Sequence, residues 1–259
     1  MSTAAINPKG PRVYSDANTP STWAATYLGS TVGQKILVGF TGLGLVGFLV
    51  FHMIGNLKMF SGPESINKYG YFLKHDLGAL IWIARGGLLA LFVTHLILAI
   101  RLKLRSNAAR PIGYHRSQTA QATVSAKTMI WTGLVTLGFT VFHLAHYTFA
   151  WVHGRENKDG TFTNYLDLQY TMPDGKQVHD VYTMVMAGFG TPWISALYIV
   201  CQLLLFIHLS HGIQSALQTL GLVGKRFTPA AVALGWITSG TIFVGNVAIV
   251  VSVWLGIVK

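Results

Sequence analysis

Six histidines of this sequence lie inside long apolar runs, where an ionisable side chain is costly and by default marks a functional site facing a helix-bundle interior. Four of the five apolar runs carry them: His52, then His95, then His143 with His146, then His208 with His211. An imidazole there can ligate a metal, transfer a proton or simply hydrogen-bond inside the packed bundle. A single histidine does not separate these roles, so the chemistry depends on how the runs arrange the set.

The apolar runs predict five transmembrane helices, because about 20 helical residues cross a bilayer. We expect them at about 34–57, 78–100, 128–151, 192–217 and 229–257. Of the 259 residues, 51% are hydrophobic and 10% are charged, which is typical of integral membrane proteins. The sequence therefore predicts an all-α integral membrane protein with a cytoplasmic N-terminal arm at 1–33 and one five-helix domain at 34–259. No internal repeat of fixed period stands out.

The charged residues argue for a membrane topology rather than for nucleic-acid binding. The net charge is +11, but the basic residues lie between the apolar runs, not along one face. The link 101–127 contains Arg101, Lys103, Arg105, Arg110, Arg116 and Lys127 and no acid. Because basic loops stay inside, we expect a cytoplasmic N-terminus and an outer C-terminus in a bacterial cytoplasmic membrane. The outer loop 152–191 has Asp-Gly pairs at 159–160 and 174–175, which suggest a small hairpin or cap.

Two further features limit the chemistry. Cys201 is the only cysteine, so the chain has neither a disulfide framework nor a cysteine-ligated iron–sulfur cluster of its own. The first 30 or so residues are polar and lack the apolar core of a signal peptide. Electron or proton chemistry on this chain would therefore fall to the histidines.

The direction of each helix sorts four of the histidines into two layers. Each lies in the C-terminal third of its predicted span. The first and third helices run outward, so His52 and His143 lie near the outer surface. The second and fourth run inward, so His95 and His208 lie near the cytoplasmic surface. Each layer therefore receives two histidines from two different helices.

Histidine pairs that face each other across a helix bundle are typical of haem sites. Small residues precede each histidine and leave room for the macrocycle: Gly44 and Gly47, Ala84 and Gly87, and Gly133, Thr136 and Thr140. Glycines also promote helix packing in lipid, so they are weak evidence alone. Two haems with both axial positions filled would carry electrons across the membrane rather than bind oxygen. The two HxxH motifs would also suit a di-metal site, but they lie on opposite sides of the bilayer.

Several stretches resemble the succinate dehydrogenase/fumarate reductase cytochrome b subunit, the five-helix, di-haem membrane anchor. The most specific are HDVYTMVMAGFGTPW (179–193) and FIHLSHGIQSALQTLG (206–221), and FHMIGN, THLILAIRLK and FHLAHYTF at 51–56, 94–103 and 142–149 add to them. The resemblance covers essentially the whole chain and implies that four of the helices form a haem-binding bundle. It implies axial ligands at His52 and His143 for a distal haem, and at His95 and His208 for a proximal haem. His146 and His211 are then expected to bind a propionate or to support the ligands.

The resemblance also implies partners. A flavoprotein subunit with FAD would interconvert succinate and fumarate, an iron–sulfur subunit would relay electrons, and this chain would exchange them with a membrane quinone, expected to be menaquinone. The dicarboxylate chemistry would lie on the partner subunits, and the complex could form a higher oligomer. Two alternatives stay open: the cytochrome b subunit of another quinone-linked dehydrogenase or hydrogenase, and a transporter with functional histidines.

Polar residues at the outer start of the second helix are candidates for the quinone site. Among Lys74, His75 and Asp76, we expect His75 and Asp76 to hydrogen-bond the quinone or pass its protons, with Glu64 a weaker candidate. Asp76 could instead cap the second helix. Arg85 is the one basic residue deep in a span, and no span holds a carboxylate. A haem propionate is its expected partner; snorkelling to the interface is the alternative.

Overall fold

The computed structural model describes residues 22–109, 124–152, 154–157, 160–224 and 226–258. Its helices, in chain order, are α1 (Trp23–Gly29), α2 (Thr31–Asn56), α3 (Pro63–Tyr71), α4 (Ala79–Ala108), α5 (Val124–His143), α6 (Val181–Phe189), α7 (Pro192–Thr219) and α8 (Thr228–Trp254). Its strands are β1 (Arg155–Glu156), β2 (Phe162–Thr163), β3 (Gln169–Thr171) and β4 (Gln177–His179). Five of the helices, α2, α4, α5, α7 and α8, are long and apolar enough to cross a membrane. The described part is therefore helical and suited to a bilayer, as expected for an all-α membrane protein.

The five spans fall where the sequence predicts them, with one substantial correction. Helix α4 continues to Ala108, so Arg101, Lys103 and Arg105 lie on the helix and not in a loop. Lys and Arg are good helix formers, and their charge is favourable at a helix C-terminus. His95 consequently lies near the middle of α4 rather than in its last third. Two basic residues of the predicted topology, Arg110 and Arg116, lie outside the described part of the chain.

Helix α7 is the hub of the bundle. It packs against α8, α5 and α2, and 44% of its apolar window is buried, whereas none of the window of α4 is. Close approach depends on small residues: a Cβ at Gly235 of α8 would lie 2.7 Å from the Ser210 carbonyl oxygen of α7. Helix α4 packs mainly against α2.

The segments 57–78 and 149–191 pack together at one end of the bundle, and we call them the loop cap. Strands β1 with β2 and β3 with β4 form two antiparallel hairpins, so the predicted hairpin is confirmed. Gly160 and Gly175 turn these hairpins with φ of +77° and +83°, a region that favours glycine; Asp159 lies outside the described residues. Asn67 of α3, fully buried, donates to the Asp180 carboxylate at 3.1 Å and accepts from the Tyr182 N–H at 3.0 Å.

Replacing Asn67 with alanine should loosen the loop cap. The change removes two buried hydrogen bonds between α3 and the start of α6, which costs about 1–3 kcal/mol when a buried partner is left unsatisfied. We expect faster amide hydrogen exchange across 63–71 and 181–189. Asn157→Ala is the control, because Asn157 bonds only within the β1–β2 hairpin, to Thr161 and Thr163. Unchanged exchange in α3 would show that Asn67 does not hold the cap.

Candidate functional site

The first histidine pair lies at the loop-cap end of the bundle. The rings of His52, one turn before the end of α2, and His143, the last residue of α5, lie side by side with centroids 5.8 Å apart and planes at 88°. Two imidazoles that ligate one metal from opposite sides, each at about 2 Å, have centroids about 6 Å apart. The centroid spacing of this pair is close to that value. We call it the loop-cap layer.

Tyr198 of α7 orients one member of this pair. Its hydroxyl lies 3.2 Å from Nδ1 of His143 and 3.1 Å from Nδ1 of His146. A hydroxyl has one proton, so it donates to one of these nitrogens and accepts from the other. If His143 presents the lone pair of Nε2 toward His52, its Nδ1–H donates to Tyr198, and Tyr198 donates to His146. Of the two histidines in this HxxH motif, His143 therefore belongs to the pair, and His146 helps to orient His143 through Tyr198.

His146 is fully buried and stacks on Tyr147 at 4.0 Å, beneath the loop cap. It lies on a single π-helical turn, Leu144–Thr148, that directly follows α5. A second π turn, Phe72–Asp76, carries His75 and Asp76. Such turns are rare and concentrate at functional sites. Sequence reasoning did not predict either turn, since neither contains a residue that marks one.

The second pair lies deeper in the bundle, and we call it the inner layer. Nδ1 of His95 on α4 lies 3.2 Å from the Val38 carbonyl oxygen and 3.3 Å from the Thr41 hydroxyl of α2. A carbonyl only accepts, and Thr41 gives its own proton to the Leu37 carbonyl at 2.7 Å. Nδ1 of His95 must therefore carry the proton, which leaves the lone pair on Nε2. That is the tautomer of a metal-ligating histidine.

His208 on α7 repeats this arrangement on α5. Its Nδ1 lies 3.2 Å from the Thr132 hydroxyl, which donates to the Met129 carbonyl at 3.1 Å, and Met129 also hydrogen-bonds His208 through its backbone. His208 and His95 lie within electrostatic range of each other. The inner layer therefore joins two histidines with the same fixed tautomer.

A glycine next to each threonine leaves room for the histidine ring. A Cβ at Gly42 would lie 3.1 Å from Cε1 of His95, and one at Gly133 would lie 3.2 Å from Cε1 of His208. Real Cβ contacts are seldom so short, so an alanine at either position would push the ring away from its helix. Each inner-layer imidazole is thus held against the backbone of the neighbouring helix.

The two Thr-Gly pairs lie in similar stretches of sequence, although the whole chain has no repeat of fixed period. Residues 40–52 read FTGLGLVGFLVFH and residues 131–143 read WTGLVTLGFTVFH. The spacing from Thr41 to His52 equals that from Thr132 to His143, and it separates the two layers by about 16 Å at 1.5 Å per residue. The interval from His95 to His208 is different, so the whole chain has no single period. His52 and His143 occupy equivalent places on α2 and α5, and so do the Thr-Gly pairs that contact His95 and His208.

The quinone candidates lie apart from the layers, on the surface of the loop cap. His75 and Asp76 are exposed, and His75 stacks on Tyr71 at 4.4 Å. Asp76 does not cap α4, since Gly78 holds the N-cap position with φ of +51° and no side-chain hydrogen bond. Glu64 is also exposed.

A cavity of about 150 Å³ adjoins the loop-cap layer. Its lining includes His52, Asn56, Ile66, Tyr69, Leu73 and Val181. Leu73 belongs to the same π turn as His75. Sequence reasoning missed Asn56 and Tyr69, because only the fold of α3 over the end of α2 brings them to His52.

Arg85 and His211 flank the two layers. Arg85 is exposed on α4 with its guanidinium 4.9 Å from the Trp82 ring, and within the described ranges no ion pair engages it. It lies six residues, or about 9 Å, inside α4. Partial desolvation and the nearby Arg85 charge lower the pKa of Lys74. His211 is half-buried one turn beyond His208.

The donor set fits a metal that brings its own equatorial ligands. Among the residues that the structure describes, no group of three or more His, Cys, Asp or Glu side chains could hold a bare metal ion. Two histidines per layer suit haem, which supplies four nitrogens of its own. The separation of the layers rules out one di-metal cluster built from both HxxH motifs.

Comparison of the chain with protein-family models, with curated proteins and with solved structures found no match. The functional argument therefore depends on the geometry of the two histidine layers.

Replacing Tyr198 with phenylalanine should weaken metal or haem binding in the loop-cap layer alone. The change removes the shared partner of His143 and His146, and losing such a supporting hydrogen bond typically lowers metal affinity about 10–100-fold. Haem content of the purified protein, measured by absorbance after detergent washing, tests this. Tyr170→Phe, in strand β3, is the control. Full haem retention with an unchanged spectrum would contradict the role given to Tyr198.

Proposed function

We propose that this chain is the membrane-anchor cytochrome b subunit of a succinate:quinone oxidoreductase, that is, of a succinate dehydrogenase or fumarate reductase. It passes electrons through two bis-histidine b haems between an iron–sulfur subunit and a membrane quinone. The observation that carries the proposal is the presence of two layers: His52 and His143 lie at equivalent positions of α2 and α5, and His95 and His208 contact equivalent Thr-Gly pairs of the same two helices. The motif resemblance at 179–193 and 206–221 supplies the family.

Each haem has a defined set of protein groups in this proposal. His52 and His143 hold the distal haem in the loop-cap layer, and His95 and His208 hold the proximal haem in the inner layer. Haem iron supplies one-electron transfer when bound. The hydrogen bonds of the inner-layer pair keep the proton on Nδ1 of His95 and His208, and a haem held by two histidines would transfer electrons rather than bind oxygen. Arg85, at a depth close to that of the loop-cap layer and lacking a carboxylate partner in the described part, supplies a positive charge for a propionate.

The quinone, menaquinone by the resemblance, is proposed to bind at the cavity beside His52. Asn56 and Tyr69 line that cavity and carry an amide and a phenol that can hydrogen-bond quinone carbonyls. His75 and Asp76 lie on the neighbouring exposed turn, where they can exchange protons with water. The site lies next to the loop-cap layer, so electrons need cross only a short distance.

The partner subunits are proposed to dock at the opposite end of the bundle, on the cytoplasmic side. Arg101 and Lys103 are exposed there on the last turns of α4. Arg105 donates to the Gly29 carbonyl and to Gln34, which ties α4 to the start of α2. This basic end lies nearest the inner layer, so the iron–sulfur subunit would deliver electrons first to the proximal haem. The FAD and the dicarboxylate chemistry belong to the partners.

The haem stoichiometry of the purified chain tests the core of the proposal. We expect a reduced-minus-oxidised spectrum with two b haems per chain, unaffected by carbon monoxide. His52→Ala or His143→Ala should remove one haem, and His95→Ala or His208→Ala should remove the other. His75→Ala, on the exposed turn apart from the two layers, is the control that should retain both. A folded chain without haem would contradict the proposal and favour the transporter alternative; haem without co-purifying flavoprotein would favour another dehydrogenase or a hydrogenase.

Changes in the cavity should weaken quinone use without removing haem. Tyr69→Phe and Asn56→Leu each remove a hydrogen-bonding group, so we expect the KM for a soluble menaquinone analogue to rise about tenfold, a loss of about 1.4 kcal/mol. His75→Ala and Asp76→Asn should lower kcat instead, if they only move protons. Glu64→Gln, outside the cavity, is the control. Normal KM values in both cavity variants would place the quinone elsewhere.

A further inference from the structure

We infer that Thr41 and Thr132 are paired positioning residues that tune the inner-layer haem independently of the loop-cap haem. This inference rests on the proposed function. Neither threonine touches the reacting iron in this assignment. Each acts through the histidine of the neighbouring helix, by holding its imidazole in one tautomer and one orientation.

The direction of the hydrogen bonds is fixed at both positions. Thr41 donates to Leu37 and therefore offers only a lone pair to His95. Thr132 donates to Met129 and offers a lone pair to His208. Each threonine thus accepts the Nδ1 proton, together with a backbone carbonyl. Both threonines are buried, so water does not replace them.

The adjacent glycines make this contact possible. Gly42 and Gly133 let the rings lie within 3.1–3.2 Å of where a Cβ would stand. The Thr-Gly pair therefore has two functions: the glycine leaves room for the ring to lie close to the helix, and the threonine, through its hydrogen bond to Nδ1, sets the rotation of the ring about its Cβ–Cγ bond. The same pair serves both histidines, so the two faces of the inner haem receive matched ligands.

The loop-cap layer has no such matched pair. His52 stacks on Phe48 with centroids 5.3 Å apart, and His143 pairs with the Tyr198 phenol. Thr41 lies about 16 Å along α2 from His52, and Thr132 lies about 16 Å along α5 from His143, at 1.5 Å per residue. A change at Thr41 or Thr132 should therefore affect one haem and leave the other unchanged.

The chemical effect has a definite sign. An Nδ1–H that donates to two acceptors leaves more electron density on Nε2, which makes the imidazole a stronger ligand. A stronger donor favours ferric over ferrous iron and lowers the reduction potential. Removing the threonine acceptors should therefore raise the potential of the inner haem.

The test is a redox titration of the intact complex with Thr41→Val, Thr132→Val and the double variant, followed by visible absorbance and by electron paramagnetic resonance of the ferric haems. We expect the double variant to shift the reduction equilibrium of one haem about tenfold, which is about 59 mV to higher potential for one electron. The signal of that haem should also change, since it depends on the orientation of the axial imidazoles. The single variants should give smaller shifts.

Two controls separate the hydroxyl from the shape of the side chain. Ser239→Ala removes a buried hydroxyl of α8 whose hydrogen bonds in the described structure go to the Gly235 and Trp236 carbonyls of its own helix, so neither potential should move. Thr41→Ser with Thr132→Ser keeps the hydroxyls and should restore the native potential. Loss of the inner haem in the valine variant with retention in the serine variant would also support the inference.

Two bound haems with native potentials and spectra in the double valine variant would overturn the inference and leave the proposed function intact. Equal shifts in the valine and serine variants would overturn it too, because shape alone would then account for them. Absence of haem from the unaltered complex would instead overturn the proposed function itself.

Discussion

The arrangement depends on one requirement: the N–H group of an imidazole among apolar helices needs a hydrogen-bond acceptor from the protein, because water is not there to provide one. In three of the four paired histidines that partner lies on a neighbouring helix: on α2 for His95, on α5 for His208 and on α7 for His143. Each bond therefore ties two helices together while it fixes a tautomer. The histidines that define the site are also among the contacts that set how the helices meet.

The two layers meet this requirement in different ways. The inner layer uses backbone carbonyls and threonine hydroxyls that belong to the helix pairs themselves. The loop-cap layer uses the Tyr198 phenol, shared with the buried His146, and is covered by segments 57–78 and 149–191. One layer is thus built into the bundle core, and the other is joined to the loops, where a small molecule can approach through the cavity at Asn56 and Tyr69. This difference gives two similar histidine pairs different surroundings.

Charged side chains are mostly kept out of the spans. None of the five spans contains a carboxylate, and the basic residues concentrate at the ends, on the last turns of α4 above all. Arg85 is the exception, because it lies about two turns inside α4 beside Trp82. A cation at that depth is costly without an anionic partner, and the propionate of a bound haem would meet this need.

Sequence alone determined the five spans and the two histidine layers, because both follow from the length of the apolar runs and the alternating direction of the helices. It also marked the hairpins through Gly160 and Gly175. Sequence did not yield the length of α4, the π turns, the Thr-Gly seats or the sharing of Tyr198 between His143 and His146. These depend on how each helix is rotated and how closely it approaches its neighbour. The Thr-Gly pairs at 41–42 and 132–133 can be read from the sequence, but only the packing of α4 on α2 and of α7 on α5 brings a histidine to each.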